Sequence, residues 1–382
     1  MSQHFLTLDF GSGQISAALG VYDENTGTFR VRNAVRVSCP SVSACYILDF
    51  DQSVRALRRV FEELGGGDSF APTVAVGLRG DFLSFRRAAG SKTISGKNFI
   101  ITEQDVHDAL EASALPMDES LEVVDIFPQG YAVDGKFGVS NPVGLAGQFL
   151  DAETFVSCGL RTHLTNLNRV MTAAGCEEFE AVPTVLALCG TLLKEEEKQG
   201  CTLLLDIGAA HSSAALYYKG MLEGAWEMPL GADFIVQEVA DVLQNDLKEA
   251  RAVLRQYAYG DDEILDDVLD EAARKLLRAI QKELTQGSLA YIKHPPAVIV
   301  LTGGGADLSV KNAAKRILGA RRARIAAHDE LIADGENLLA PAYTSALSLM
   351  LHAQRYGGLA QETQPDKAPG FLDRMLAKLG LN

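Results

Sequence analysis

Leu6-Thr7-Leu8-Asp9-Phe10-Gly11, followed by Ser16-Ala17-Ala18-Leu19, returns 197 residues later as Leu203-Leu204-Leu205-Asp206-Ile207-Gly208, followed by Ser213-Ala214-Ala215-Leu216. The Asp-to-Ser offset is 7 in both copies. Each copy reads as an apolar strand, a turn at Asp-x-Gly, and a returning strand. Glycine in such a turn lets the backbone approach a ligand. Turn amides can face phosphate oxygens, and a carboxylate at the strand end can hold Mg²⁺ through its waters. A single Asp-x-Gly turn is common. A matched pair implies two lobes, each offering one hairpin to a nucleotide held between them, with Asp9 and Asp206 at the two strand ends.

Two further stretches extend this reading. Val298 to Leu301 is a short apolar strand running into Thr302-Gly303-Gly304-Gly305-Ala306 and a helix start. Glycines there leave room for a flat ligand on bare backbone. Pro229-Leu230-Gly231-Ala232-Asp233 follows the second hairpin and opens a helix, where amides and the helix dipole favour anions.

The rest of the composition bounds the answer. A chain of 382 residues has room for two domains with real cores. A net charge of −15 argues against non-specific nucleic-acid binding, while leaving room for a local basic patch. Six scattered cysteines without a Cys-x-x-Cys read as buried thiols of a reducing compartment. Met1-Ser2-Gln3-His4 enters a strand with no signal-peptide pattern, and no run approaches a membrane span, so the cytoplasm is the expected compartment.

Along the chain, residues 5–37 read as a meander and 52–64 as a helix. An α+β module with a helix after Thr102 and strands near 121–128, 130–134 and 147–156 interrupts the first lobe. Helices are expected over 161–174, 182–193, 235–243, 246–257, 264–284, 309–318 and 343–356. The boundaries follow: a first lobe of 1–83 with 161–180, an insert of 84–160, and a second lobe of 181–340 whose outer helical part is 234–296. Residues 341–356 return to the first lobe, 357–370 form a polar linker, and 371–382 form a terminal helix.

In this order, the Asp-Gly hairpins, Gly231 and the triple glycine resemble the actin/Hsp70/sugar-kinase superfamily. That resemblance implies an α/β fold of two duplicated RNase H-like domains. The insert resembles that of the bacterial cell-division FtsA family. Pro128-Gln129-Gly130-Tyr131-Ala132-Val133-Asp134-Gly135 is similar to its P-Q-x-Y-x-V-D-G stretch, and Asn141-Pro142-Val143-Gly144-Leu145-Ala146-Gly147 to its N-P-x-G-x-x-G stretch. Val300 to Ala306 with Leu308 is similar to its V-L-T-G-G-G-A-x-L run. The resemblance implies ATP with Mg²⁺ as ligand, bound by Asp9, Gly11, Ser12 and Gly13 and by Asp206, Ile207 and Gly208, with Gly303, Gly304 and Gly305 facing adenosine. It implies self-association into filaments, binding of the FtsZ C-terminal tail through the second lobe, contact with downstream division proteins, and attachment to the cytoplasmic face of the membrane at the septum.

The second loop departs from the family pattern D-I-G-G-G-T-x-D. Here Ala209 and Ala210 replace glycines and Ser213 replaces the second carboxylate, with His211 a candidate phosphate contact. A Cβ where φ > 0 is needed costs about 1 kcal/mol, so the expectation is ATP binding with at most weak ATPase activity, and no catalytic residue is assigned. At the end of the chain, Phe371, Leu372, Met375, Leu376 and Leu379 share one helical face, with Arg374 and Lys378 beside it. This pattern suits a helix lying in an anionic membrane interface. The alternatives are a PilM-like adaptor of type IV pilus assembly and, further off, a small-molecule kinase. A kinase needs a general base beside an acceptor hydroxyl, and the sequence offers no clear one.

Overall fold

The computed structural model describes residues 2–65, 72–95, 97–114, 118–257, 260–287, 289–326, 328 and 331–356. The terminal segment 371–382 and its linker lie outside the described residues.

In the first lobe, β1 (Ser2–Phe10), β2 (Gln14–Asp23) and β3 (Thr28–Ser38) form an antiparallel meander. A short ladder of β4 (Val42–Ser43) and β5 (Tyr46–Ile47) leads to α1 (Phe50–Leu64), and β6 (Thr73–Leu78) returns parallel to β1. The Asp49 carboxylate accepts the Gln52 N–H to cap α1, and Gly65 ends it at φ 79°.

The insert follows as β7 (Leu83–Thr93), α2 (Glu103–Ser113), β8 (Leu121–Val133), β9 (Lys136–Val139) and β10 (Phe149–Leu160). Its sheet runs in the order β7-β10-β8-β9 and carries its own core, including Ile101, Val106, Leu110, Ile126 and Leu150. Thr102 and Asp105 form a capping box on α2. Two features differ from the sequence reading. β7 is a full strand of the module. The two strands expected over 121–134 are one, with a bulge where Pro128 and Gly130 pair successive residues of β10.

The chain then forms α3 (Arg161–Ala173), β11 (Glu180–Pro183), α4 (Thr184–Leu192) and α5 (Glu195–Gln199). The helix expected from residue 182 starts two residues later, because Val182 and Pro183 finish an edge strand beside β6. Proline fits such an edge, and fits the entry to a helix, because it has no N–H to leave unpaired.

The second lobe contains β12 (Cys201–Ile207), β13 (Ser212–Tyr218), β14 (Met221–Met228), α6 (Asp233–Leu243), α7 (Leu247–Gln256), α8 (Glu263–Gly287), α9 (Leu289–Lys293), β15 (Val298–Thr302), α10 (Leu308–Ile317) and β16 (Arg322–Ile325). The chain ends, among described residues, with β17 (Ile332–Ala333) and α11 (Thr344–Tyr356). β17 pairs with β3 of the first lobe, and Asp334 ion-pairs with Arg30 and Arg32 there. The chain is therefore back on the first lobe before residue 341.

The two main sheets share one topology. They run β11-β6-β1-β2-β3-β17 and β16-β15-β12-β13-β14. Asp9 pairs with Ser16 and Asp206 with Ser213, so the sequence repeat is also a repeat in register. The central strands are buried on both faces, which explains their nearly unbroken apolar runs. Leu203, Leu205 and Leu301 pack under α6, α8 and α10, while Leu204 and Val300 meet α4 on the other face. In the first lobe α1 and α3 cover one face, and α11 covers the other through Leu347 and Met350 against Phe5 and Ala18. Each fully buried leucine contributes about 1.5–3 kcal/mol. No described helix is long and apolar enough to cross a membrane. Four of the six cysteines are buried, whereas Cys176 and Cys201 are half-buried.

Candidate functional site

The parallel pairings β1–β6 and β12–β15 bring four strand ends to one junction between the lobes. Asp9 lies opposite Gly77, and Asp206 opposite Thr302. Both carboxylates are buried, and both meet the same side chain, Arg79, just past the end of β6. Arg79 Nη2 lies 2.9 Å from Asp9 Oδ1, and Nε donates to the same oxygen at 3.1 Å. Nη1 donates to Asp206 Oδ2 at 3.3 Å, and Nη2 donates to Ser345 Oγ at 2.8 Å on α11. One guanidinium thus ties together two lobes and the returning helix.

A third acid completes the cluster. Glu227 on β14 has a fully covered side chain. Its Oε2 lies 2.6 Å from His211 Nε2 and accepts from Ser213 Oγ at 2.8 Å and from the Gly80 N–H at 3.1 Å. Burial pushes the Asp9 and Asp206 carboxyls above their ordinary value. Arg79 opposes that shift, and the neighbouring acids add to it. Burial would lower the Arg79 pKa, but Asp9, Asp206 and Glu227 outweigh it and hold the guanidinium charged.

The turn amides are largely spent within the chain. Gly11 N–H donates to Gln14 O, Gly13 N–H to Val42 O, and Gly208 N–H to His211 O. Several glycines make close approaches to protein. A Cβ on Gly231 would stand 2.3 Å from Ala209 O, one on Gly303 (φ +90°) 2.4 Å from Asp206 Oδ1, and one on Gly305 2.7 Å from Ala232 Cβ. These glycines let two loops close over the second hairpin. Gly304 alone of the triple glycine has open space before it. Ser12 and Ile207 sit at the two turns, with Ile207 buried in the second-lobe core.

The donor set does not fit a hydrated Mg²⁺. The two carboxylates offered for it share a guanidinium, and Glu227 Oε2 has taken the Gly80 amide, His211 and Ser213, which leaves only its buried Oε1 without a partner among the described residues. No step through a metal is derived for this junction. The sequence reading identified Asp9, Asp206 and His211, but not Arg79, Glu227 or Ser345. The register of β14 holds one signal: Glu223 and Glu227 alternate with Leu222, Gly224, Trp226 and Met228. That pattern says only that the acids face away from the second-lobe core.

Two lobes of shared topology meeting at paired Asp-Gly hairpins define an actin-like ATPase fold. Solved structures similar to this chain include the PilM-PilN type IV pilus biogenesis complex, with TM-score 0.66 and 16% identity over 91% of this chain and 97% of that one. MreB 5 of Spiroplasma citri bound to AMPPNP is similar at TM-score 0.51 and 11% identity, over 92% and 96%.

Within that class the resemblance is to FtsA. Residues 80–157 match the family model described as the SHS2 domain inserted in FTSA. The chain is 25% identical over 331 residues to the cell division protein FtsA of Bacillus subtilis (strain 168), covering 80% of this chain and 74% of that one. It is 23% identical over 378 residues to FtsA of Neisseria meningitidis serogroup B, covering 92% and 90%.

Proposed function

We propose that this chain is an FtsA-like anchor of the bacterial division ring. In this reading it binds the C-terminal tail of FtsZ through its second lobe, self-associates into filaments, and recruits later division proteins. Residues 371–382 attach it peripherally to the cytoplasmic face of the membrane at the septum. The reading rests on one observation above the others: the SHS2 match falls on a module inserted between β6 and β11 of an actin-like fold. The role is structural. ATP is retained from the family resemblance, but no phosphoryl-transfer step is assigned to it.

Two surfaces support the partner assignments. A groove of about 1360 Å³ on the second lobe is lined by Lys194, Lys311, Lys315, Arg316, Arg321 and Arg322, with fewer acids, on a chain of net charge −15. Such a groove suits an acidic tail. On the insert, Phe99, Ile100, Phe137, Leu145 and Phe149 are all exposed, the least of them at 41%. Large apolar side chains gathered on one module suit self-association.

The test is co-sedimentation of the full chain, and of a chain ending at Gly370, with anionic liposomes and FtsZ. The full chain should carry FtsZ into the lipid pellet, and the shortened chain should leave both in solution. If neither form binds lipid or FtsZ, the reading falls and a pilus-type adaptor replaces it.

A further inference from the structure

The duplication allows the two lobes to be compared position by position. Gly77 stands opposite Asp9 in the first lobe, and Thr302 opposite Asp206 in the second. Two residues further on, the second lobe has Gly304 and the first has Arg79. One lobe presents bare backbone to the junction, and the other presents a guanidinium.

We propose that Arg79 is the resident cation of this clamp. It bridges the aspartates of the two hairpins in place of a metal and holds the lobes together without a Mg²⁺-nucleotide. The geometry carries the proposal. Arg79 is buried and reaches Asp9 at 2.9 Å and Asp206 at 3.3 Å, so it joins one residue from each lobe. Its Nη2 is further fixed by Ser345 Oγ at 2.8 Å. The planar fork of arginine can serve several acceptors at once, which the single ammonium of a lysine does less well. A tethered cation also needs no recruitment from solution, so it loses no translational freedom on binding. The next residue extends the bridge, since the Gly80 N–H donates to Glu227 of the second lobe at 3.1 Å. A divalent ion between Asp9 and Asp206 would meet the guanidinium at contact distance and be repelled.

The proposal does not rest on the division-ring reading, and its test uses neither FtsZ nor lipid. ATP binding to the full chain is measured by calorimetry in excess Mg²⁺ and in EDTA, alongside thermal melting. For the wild type, the affinity should change by less than about tenfold between the two conditions, or binding should be absent from both. Arg79→Ser uncovers two buried carboxylates and should melt lower in EDTA, with Mg²⁺ alone restoring its melting point. Mg²⁺ alone should leave the wild-type melting point unchanged. If Arg79→Ser does not fold, the wild-type titration decides. Binding tightened about tenfold or more by Mg²⁺ in the wild type, with that gain lost in Asp206→Asn, overturns the proposal.

Discussion

At the residue scale, Glu227 shows how much one buried acid can hold. His211, Ser213 and the Gly80 amide converge on its Oε2, and Gly80 belongs to the other lobe. Truncation to alanine leaves a buried histidine and a backbone N–H without their partner. The expected cost of Glu227→Ala is about 2–4 kcal/mol, read from urea unfolding, and a loss below about 0.5 kcal/mol would show that solvent replaces the carboxylate. Asp9 and Asp206 were legible in the sequence because the repeat marks them. Arg79 and Glu227 were not, for a physical reason. Alternation along a strand separates one face from the other, but it does not say whether the second face meets water or another domain. Glu227 faces the first lobe, so its polar side reads as solvent-facing when it is an interior. Arg79 follows a short strand at a turn, where a charged residue ordinarily reads as surface.

At the element scale, the same limit appears in the insert. The hairpins of both lobes were legible because each strand is apolar through the centre of a sheet. β7 was not, since Leu83-Ser84-Phe85-Arg86-Arg87-Ala88-Ala89-Gly90-Ser91-Lys92-Thr93 is neither apolar nor cleanly alternating. Its place is fixed by pairing with β10 along its whole length and by close contact with α2. Gly90 is the point of that contact, where a Cβ would stand 1.9 Å from Ala109 O. Gly90→Ala must push the helix off the sheet and should cost at least about 3 kcal/mol. Gly130→Ala is the control. No atom lies within 4 Å of its Cβ position, so it should cost no more than about 1 kcal/mol. Equal melting points for the two variants would show that the α2–β7 contact yields readily. The bulge at Gln129 has a structural role that its motif does not reveal. It aims the side-chain amide at β14, where Nε2 donates to Leu222 O at 2.9 Å and Oε1 accepts the Leu222 N–H at 2.6 Å. With Arg87 paired to Glu223 at 2.9 Å, this stretch fastens the insert to the second lobe.

At the scale of the whole molecule, charge and apolar exposure are segregated. The basic groove lies on the second lobe and the exposed phenylalanines on the insert, while the chain as a whole is acidic. An acidic chain repels acidic segments at long range, so a local basic groove is where this surface would attract one. Within that groove Arg324 is already committed, donating to both carboxylate oxygens of Glu197 at 2.7 and 2.8 Å. It therefore shapes the wall more than it offers free charge. Lys311, Lys315 and Arg316 lie along α10, with Lys315 and Arg316 exposed. Reversing these three to glutamate should weaken binding of the FtsZ tail at least about tenfold, with most of the difference erased at high salt. The fold should be retained, because none of the three lies in the second-lobe core. Phe137→Asp should do the opposite, lowering self-association measured by sedimentation while leaving tail affinity within about twofold of the wild type. If the groove variant and the insert variant lose both properties together, filament formation and tail binding share one surface, and the division of labour between lobe and insert is wrong.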